Sequence, residues 1–77
     1  MSHYDQILDA SGLNCPLPIM KAKKTFAEMT PGQILKIIAT DPGSVKDFAA
    51  LCQSSDYDLV SSGEENDKFV YFVKKAS

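Results

Sequence analysis

Residues 34–40, Ile34-Leu35-Lys36-Ile37-Ile38-Ala39-Thr40, form a nearly continuous run of apolar, β-favouring residues. Such a run is typical of a strand inside a sheet that is covered over much of both faces. The turn-forming residues Thr30-Pro31-Gly32-Gln33 precede it, and Asp41-Pro42-Gly43-Ser44 follow it. We therefore predict a central strand here, with other elements arranged around it.

A helix is predicted before this strand, over residues 16–29. One face of it is apolar at helical spacing, and the residues on that face are Ile19, Ala22, Phe26 and Met29. Met20 lies beside this apolar stripe, so we expect it to be partly exposed.

A second helix is predicted after the central strand. Its apolar positions follow the i, i+3, i+4, i+7 pattern and are Val45, Phe48, Ala49 and Cys52. Asp41 and Ser44 are both candidates for its N-cap, and Ser44 with Asp47 resembles a capping box. Cys52 is expected in the core rather than as a partner for a second thiol.

Three further strands complete the fold. They are predicted over residues 4–9, 57–63 and 68–74, and the acidic turn Glu64-Glu65-Asn66-Asp67 joins the last two as a hairpin. The order is βαβαββ, which predicts an α+β fold. We expect a single domain over residues 1–77, a two-layer sandwich whose four-stranded mixed sheet carries two helices packed on one face. The second and fourth strands are the most apolar and should form the inner pair.

Composition and charge exclude several classes of function. Eight basic residues, all lysine, against ten acidic ones give a net charge of −2, which argues against stable nucleic-acid binding. No apolar run approaches the roughly 20 residues that span a bilayer. The first residues do not resemble a secretion signal, so a cytoplasmic location without membrane contact is expected. One histidine and two cysteines make no zinc pattern, so we expect no metal, and nothing in the sequence indicates a cofactor.

The segment Cys15-Pro16-Leu17-Pro18 stands at the head of the first predicted helix. With Cys15 as N-cap, Pro16 and Pro18 occupy positions whose N–H groups have no intrahelical partner, which leaves the N–H of Leu17 to face the sulfur. Helix N-termini lower the pKa of cysteine, and the thiolate is the nucleophile. The alternative is a merely structural cap, but cysteine is not a favoured N-cap, so a functional thiol is preferred.

The run Leu8-Asp9-Ala10-Ser11-Gly12-Leu13-Asn14-Cys15-Pro16-Leu17-Pro18 resembles the signature of the TusA (SirA-like) sulfur-carrier family. The resemblance covers the whole chain, including Pro31-Gly32, Asp41-Pro42 and the closing hairpin, and it implies the same βαβαββ fold. It also implies a sulfurtransferase without a cofactor. Cys15 would take sulfane sulfur from a cysteine desulfurase or a rhodanese-type donor and pass it, as a persulfide, to a thiol acceptor protein. The pathways implied are tRNA thiolation, molybdenum-cofactor assembly and sulfur oxidation.

The resemblance also assigns roles around the motif. Gly12, Pro16 and Pro18 would support the motif structurally. The positions matching partner contacts in the family are Leu17, Met20, Lys23 and Asp41. Leu17 stands where an acidic residue is often found, which leaves the pathway open.

Other interpretations remain open from the sequence. Asp41 could be an N-cap alone. If the first two strands are parallel, both helices start at the same end of the sheet, with Cys15 at that end. Cys52 lies roughly 13 Å along the second helix, at about 1.5 Å per residue. A disulfide needs Cα atoms within about 7 Å, so a bond between Cys15 and Cys52 is not expected. The rival functions are a regulatory or protein-interaction module in which Cys15 is structural and, less favoured, an RNA-binding module. We expect a monomer.

Overall fold

The computed structural model describes residues 3–14 and 16–76. Its elements are β1 (Gln6–Ala10), α1 (Leu17–Ala27), β2 (Ile34–Ala39), α2 (Ser44–Leu51), β3 (Tyr57–Glu65) and β4 (Lys68–Lys75). The predicted βαβαββ order and the α+β class are confirmed. Each helix and strand agrees with its prediction to within about two residues at most boundaries.

The four strands form one mixed sheet in the order β1-β2-β4-β3. β1 and β2 are parallel, and β4 is antiparallel to both β2 and β3. The prediction that the second and fourth strands form the inner pair is confirmed. Because β1 and β2 are parallel, the chain leaves both at the same edge of the sheet, after Ala10 and Ala39. We call this the carboxyl edge; both helices begin there.

The core lies between the two helices and one face of the sheet. Leu35, Ile37 and Ala39 of β2 are fully buried, while the residues between them are half-buried on the other face. The predicted stripe of α1 is confirmed, because Ala22, Phe26 and Met29 are buried and Ile19 packs against them. Each large side chain removed from water in this way stabilises the fold by about 1.5–3 kcal/mol.

The buried face of α2 differs from the prediction. Its buried residues are Ser44, Phe48 and Leu51, whereas Val45 is 46% exposed and Ala49 is exposed. A polar residue can face the core here because the hydroxyl groups of Ser44 and Tyr71 lie 3.0 Å apart and share a hydrogen bond. Two members of the predicted stripe are thus confirmed, because Phe48 is buried and Cys52 packs against the core, whereas Val45 and Ala49 are not.

The ends of α2 also correct the prediction. The N-cap is Gly43, not Asp41 or Ser44, and no side chain caps the helix there. Cys52 is the C-cap residue; it is a free, half-buried thiol that packs against the core.

The hairpin turn is shorter than predicted. Glu65 pairs with Lys68, so only Asn66 and Asp67 remain in the turn, with φ of 53° and 64°. Two successive residues with positive φ are the signature of the type I′ turn, whose twist matches that of the strands it joins. The register of β3 shifts between Leu59 and Ser61.

Lys75 of β4 caps the carboxyl end of α1. The ammonium Nζ of Lys75 donates hydrogen bonds to the carbonyl oxygens of Phe26, at 2.7 Å, and Met29, at 2.8 Å. A cation at the carboxyl end of a helix satisfies carbonyls that lack an intrahelical partner and complements the helix dipole.

Candidate functional site

The turn between β1 and α1 is fixed by hydrogen bonds to both strands that end at the carboxyl edge. Asp9 accepts a hydrogen bond from the N–H of Ser11 at 3.0 Å. Gly12 has φ of +81° and donates its N–H to Oγ1 of Thr40 at 2.8 Å. The positive φ makes this a position for glycine, because residues with a Cβ atom are strained in this conformation. The turn that leads to the motif is therefore tied to the end of β2.

The start of α1 corrects one part of the prediction. The N-cap is Pro16, with φ −97° and ψ 16°, and the helix begins at Leu17. The N–H of Leu17 donates to the carbonyl oxygen of Asn14 at 2.8 Å, so it is not free to face a sulfur atom. Cys15, predicted to be the N-cap, lies outside the described residues. The backbone on its two sides is nonetheless joined by this Asn14–Leu17 hydrogen bond.

The residues at the start of α1 that were predicted to support the motif or to contact a partner differ in burial. Pro18 is fully buried, so its ring anchors the first turn in the core. Pro16 is exposed, Leu17 is 43% exposed and Met20 is 58% exposed. Because Leu17 and Met20 are three residues apart on one helix, they are neighbours on its surface. The start of α1 thus offers an accessible apolar surface beside position 15.

Asp41 lies at the carboxyl edge, two residues after the last residue of β2. Its Oδ1 accepts a hydrogen bond from the N–H of Gly43 at 3.2 Å, and its backbone carbonyl accepts from Ser44 at 3.0 Å. It shapes the turn before α2 without being the N-cap. Asp41 follows Thr40 directly, so the Gly12–Thr40 hydrogen bond brings the motif turn and this acidic turn together.

A groove of about 300 Å³ runs between α1 and α2 and begins at the motif. Its lining residues are Pro16, Ile19, Lys23, Asp47, Ala50 and Leu51. Most of the lining is apolar, with one carboxylate on α2 and one ammonium group on α1. Asp47 entered the sequence analysis only as part of a capping box. Its spacing from Ser44 does not distinguish it from any acidic residue in the first turn of a helix.

Asp47, like Ser11, has a side-chain oxygen that is buried without a hydrogen-bond partner among the described residues. In Asp47 this atom is Oδ2, and no ion pair joins Asp47 to Lys23 among residues 3–14 and 16–76. An unpartnered buried carboxylate oxygen is costly, so it calls for an explanation.

The second cysteine is poorly suited to nucleophilic chemistry. Burial raises the pKa of the Cys52 thiol, and the nearby carboxylate of Asp58 raises it further. The thiolate is the reactive form, so Cys52 is a weak nucleophile at neutral pH. This agrees with its predicted packing role.

The described residues show neither a metal-binding cluster nor a helix fit for a membrane. No group of three or more histidine, cysteine, aspartate or glutamate residues is placed to hold a metal ion in the parts of the chain that the structure describes. No helix within those parts is long and apolar enough to cross a bilayer.

Comparisons with known proteins agree on one family. The family model described as sulfurtransferase TusA matches residues 6–75. A sulfur carrier protein TusA from Allochromatium vinosum is 57% identical over 76 residues, covering 99% of this chain and all of that protein. A putative sulfur carrier protein of Aquifex aeolicus is 41% identical over 95% of this chain, which spans only 37% of that longer protein. The crystal structure of a SirA-like protein from Desulfitobacterium hafniense superposes with a TM-score of 0.80 at 20% identity, covering 95% of this chain and 100% of that one.

Proposed function

Because the chain belongs to the TusA family of sulfur carrier proteins, we propose that it carries sulfur as a persulfide on Cys15. The observation that carries this proposal is the placement of the described residues on either side of Cys15. They belong to a turn held by Thr40 and to the start of α1, at the edge where both helices begin. Asn14 and Pro16 are both exposed, which supports access of another protein's active site to a thiol between them.

Sulfur would move in two exchanges between proteins. The Cys15 thiolate attacks the outer sulfur of a donor's persulfide anion; a bond forms between the two sulfurs and the donor's S–S bond breaks. The donor leaves as a thiolate and Cys15 becomes the persulfide anion. An acceptor thiolate then attacks the outer sulfur of that persulfide, and Cys15 returns to a thiolate. No oxidant is consumed, because the sulfane sulfur keeps its oxidation state throughout.

The electrostatics of the carboxyl edge support both exchanges. The positive ends of α1 and α2 lie at this edge, and a helix N-terminus stabilises a nearby anion by about 0.3–1 kcal/mol at an exposed site. The thiolate and the persulfide are both anions, so both benefit. Moderate stabilisation suits a carrier, since a strongly lowered pKa gives a good leaving group but a poorer attacking one.

Partner binding is proposed for the surface around the motif. Leu17 and Met20 offer exposed apolar contacts, Lys23 offers a cation, and Asp41 offers a carboxylate at the end of β2. No further acid or base is needed, because catalysis would come mainly from docking two sulfur atoms at reacting distance. Contacts of modest area suit complexes that must dissociate after each exchange.

The proposed partners are a cysteine desulfurase or a rhodanese-type donor and a thiol acceptor protein. We propose that the carrier works as a monomer in the cytoplasm, in a relay for tRNA thiolation, molybdenum-cofactor assembly or sulfur oxidation. The apolar Leu17 in the motif would influence which acceptor is preferred.

Intact-mass measurement under non-reducing conditions tests the proposal. The protein is incubated with a cysteine desulfurase, pyridoxal phosphate and cysteine, alongside its Cys15→Ser and Cys52→Ser variants. We expect wild type and Cys52→Ser to gain one sulfur and Cys15→Ser to gain none. Equal gain by Cys15→Ser would refute the role of Cys15. No gain by wild type from either a desulfurase or a rhodanese would favour the interaction-module alternative instead.

A further inference from the structure

The groove between α1 and α2 presents two opposite charges that do not pair with each other. Asp47 lies near the start of α2, and Lys23 lies two turns into α1. At about 1.5 Å per residue, the seven positions from Pro16 to Lys23 span roughly 10 Å along α1. The groove is therefore negative near the motif and positive further from it.

The apolar walls of the groove fit the stem of a long basic side chain. Ile19, Ala50 and Leu51 line it together with the ring of Pro16. Lysine and arginine bury their methylene groups on such surfaces while their charged end seeks a polar partner. The carboxylate of Asp47, which lines the groove, supplies that partner.

We propose that this groove receives a lysine or arginine side chain of the sulfur-donor protein, with its stem on Ile19, Ala50 and Leu51 and its charge paired with Asp47. Lys23 then faces an acidic residue of the same donor segment. This inference rests on the proposed function and deepens it, because it names the chemistry by which a donor is recognised. It gives a cationic partner to the Asp47 carboxylate, one oxygen of which is buried without a hydrogen-bond partner among the described residues.

The position of the groove gives this contact a role in aligning the two sulfur atoms. Pro16 belongs to both the groove and the motif, so a side chain seated against Asp47 fixes the donor within a few residues of Cys15. Charge pairs that are desolvated on binding contribute to orientation and partner choice more than exposed ones do. Asp47 would act as a specificity-determining residue and would not take part in the sulfur exchange itself.

The test compares two sulfur sources on the same variants. Persulfide formation is followed by intact mass, with either a cysteine desulfurase and cysteine or inorganic polysulfide as donor. For each variant the desulfurase rate is divided by the polysulfide rate. We expect this ratio to fall about tenfold for Asp47→Asn, as a lost charge pair at a docked interface predicts. Asp47→Glu should recover part of it.

Asp58→Asn is the matched control. It removes the same charge from an exposed residue of β3 at the opposite edge of the sheet, and it should keep the wild-type ratio. Lys23→Gln should lower the ratio, whereas Lys24→Gln, exposed on α1 but absent from the groove, should keep it. Thermal melting checks that each variant folds.

Three outcomes overturn the inference. In the first, Asp47→Asn keeps the wild-type ratio of desulfurase rate to polysulfide rate. In the second, Asp58→Asn lowers that ratio as much as Asp47→Asn does. In the third, Asp47→Asn changes the oligomeric state of the protein and leaves the rate of persulfide formation unchanged. The last would assign the groove to a second copy of this chain. Failure of the proposed function looks different, since wild type would then gain no sulfur from either source.

Discussion

The backbone N–H of Gly12 donates a hydrogen bond of 2.8 Å to the hydroxyl oxygen of Thr40. Twenty-eight positions separate these residues in the sequence. The bond holds the turn before Cys15 against the end of β2, next to the acidic turn at Asp41. The turn that leads toward α1 is thus held by the sheet, and the buried ring of Pro18 anchors the first turn of the helix.

Thr40→Val removes this acceptor with little change in shape. We expect a loss of about 0.5–1.5 kcal/mol in the free energy of unfolding, the usual net worth of one hydrogen bond. The amide of Gly12 should exchange with solvent faster, and sulfur transfer from a donor protein should slow because the turn is less fixed. Urea denaturation, hydrogen exchange and the mass assay measure the three effects. Thr30→Val, at the opposite edge of the sheet, should change none of them; an unchanged Gly12 exchange rate in Thr40→Val would contradict the assignment.

The buried hydroxyl pair of Ser44 and Tyr71 should behave as a unit. Either Ser44→Ala or Tyr71→Phe leaves the other hydroxyl without its partner, at a cost of about 1–3 kcal/mol. The double variant should lose less than the sum of the two single losses, because no orphaned hydroxyl remains. A double-mutant cycle from urea unfolding measures the coupling. Strictly additive losses would show that the two groups do not interact.

Lys75→Met should uncap α1. It removes both hydrogen bonds to the carbonyl groups of Phe26 and Met29 and the favourable charge at the helix end, while it keeps the apolar stem. We expect a loss of about 1–2 kcal/mol in unfolding free energy. Lys74→Met, on the exposed face of the same strand, serves as the control and should lose far less. Equal stability of the two variants would show that the cap contributes nothing.

Asp5 should make stability depend on acidic pH. Its Oδ2 accepts a hydrogen bond of 2.8 Å from the N–H of Ile34, and this bond holds the pKa of the Asp5 carboxyl below its usual value, with smaller help from His3. A carboxyl whose pKa is lower in the folded state stabilises that state at pH values above its unfolded pKa. The contribution is lost as the pH falls through the lower, folded pKa. Asp5→Asn should therefore be less stable than wild type at pH 6, and the gap in urea midpoint should close as the pH falls below about 4. A gap that stays constant down to pH 2.5 would rule out this linkage.

The fold was predictable because its apolar patterns are local and strong. The runs in β2 and β4 identify the inner strands, and the spacing of Ala22, Phe26 and Met29 identifies the buried face of α1. The face of α2 was not predictable in the same way. Ser44 is buried because Tyr71, 27 residues away, supplies its hydrogen-bond partner, and no local pattern contains that information.

The candidate site was likewise predictable only where the local sequence determines it. The motif is visible in the sequence. The N-cap, however, is Pro16 instead of the predicted Cys15, and the hydrogen bond between Asn14 and Leu17 at this point is not specified by spacing alone. The groove needs both helices in place, so its carboxylate, Asp47, could not be distinguished from an ordinary helix-start acid. The roles of Cys15 and of the partner-binding residues stay predictions for the mass assay.

The orientation of the strands has a consequence for how this unit can be built into larger proteins. The chain comes into β1 beside Ile34 and leaves β4 beside Gln33, both at the edge opposite the motif. With a rise of about 3.3 Å per residue, the five residues of β1 put roughly 17 Å between that edge and the carboxyl edge. Polypeptide fused at either side would extend from the edge opposite the start of α1 and would not cover the predicted partner surface around Leu17 and Met20. Modularity of this kind fits the longer Aquifex relative, of which this unit spans about a third.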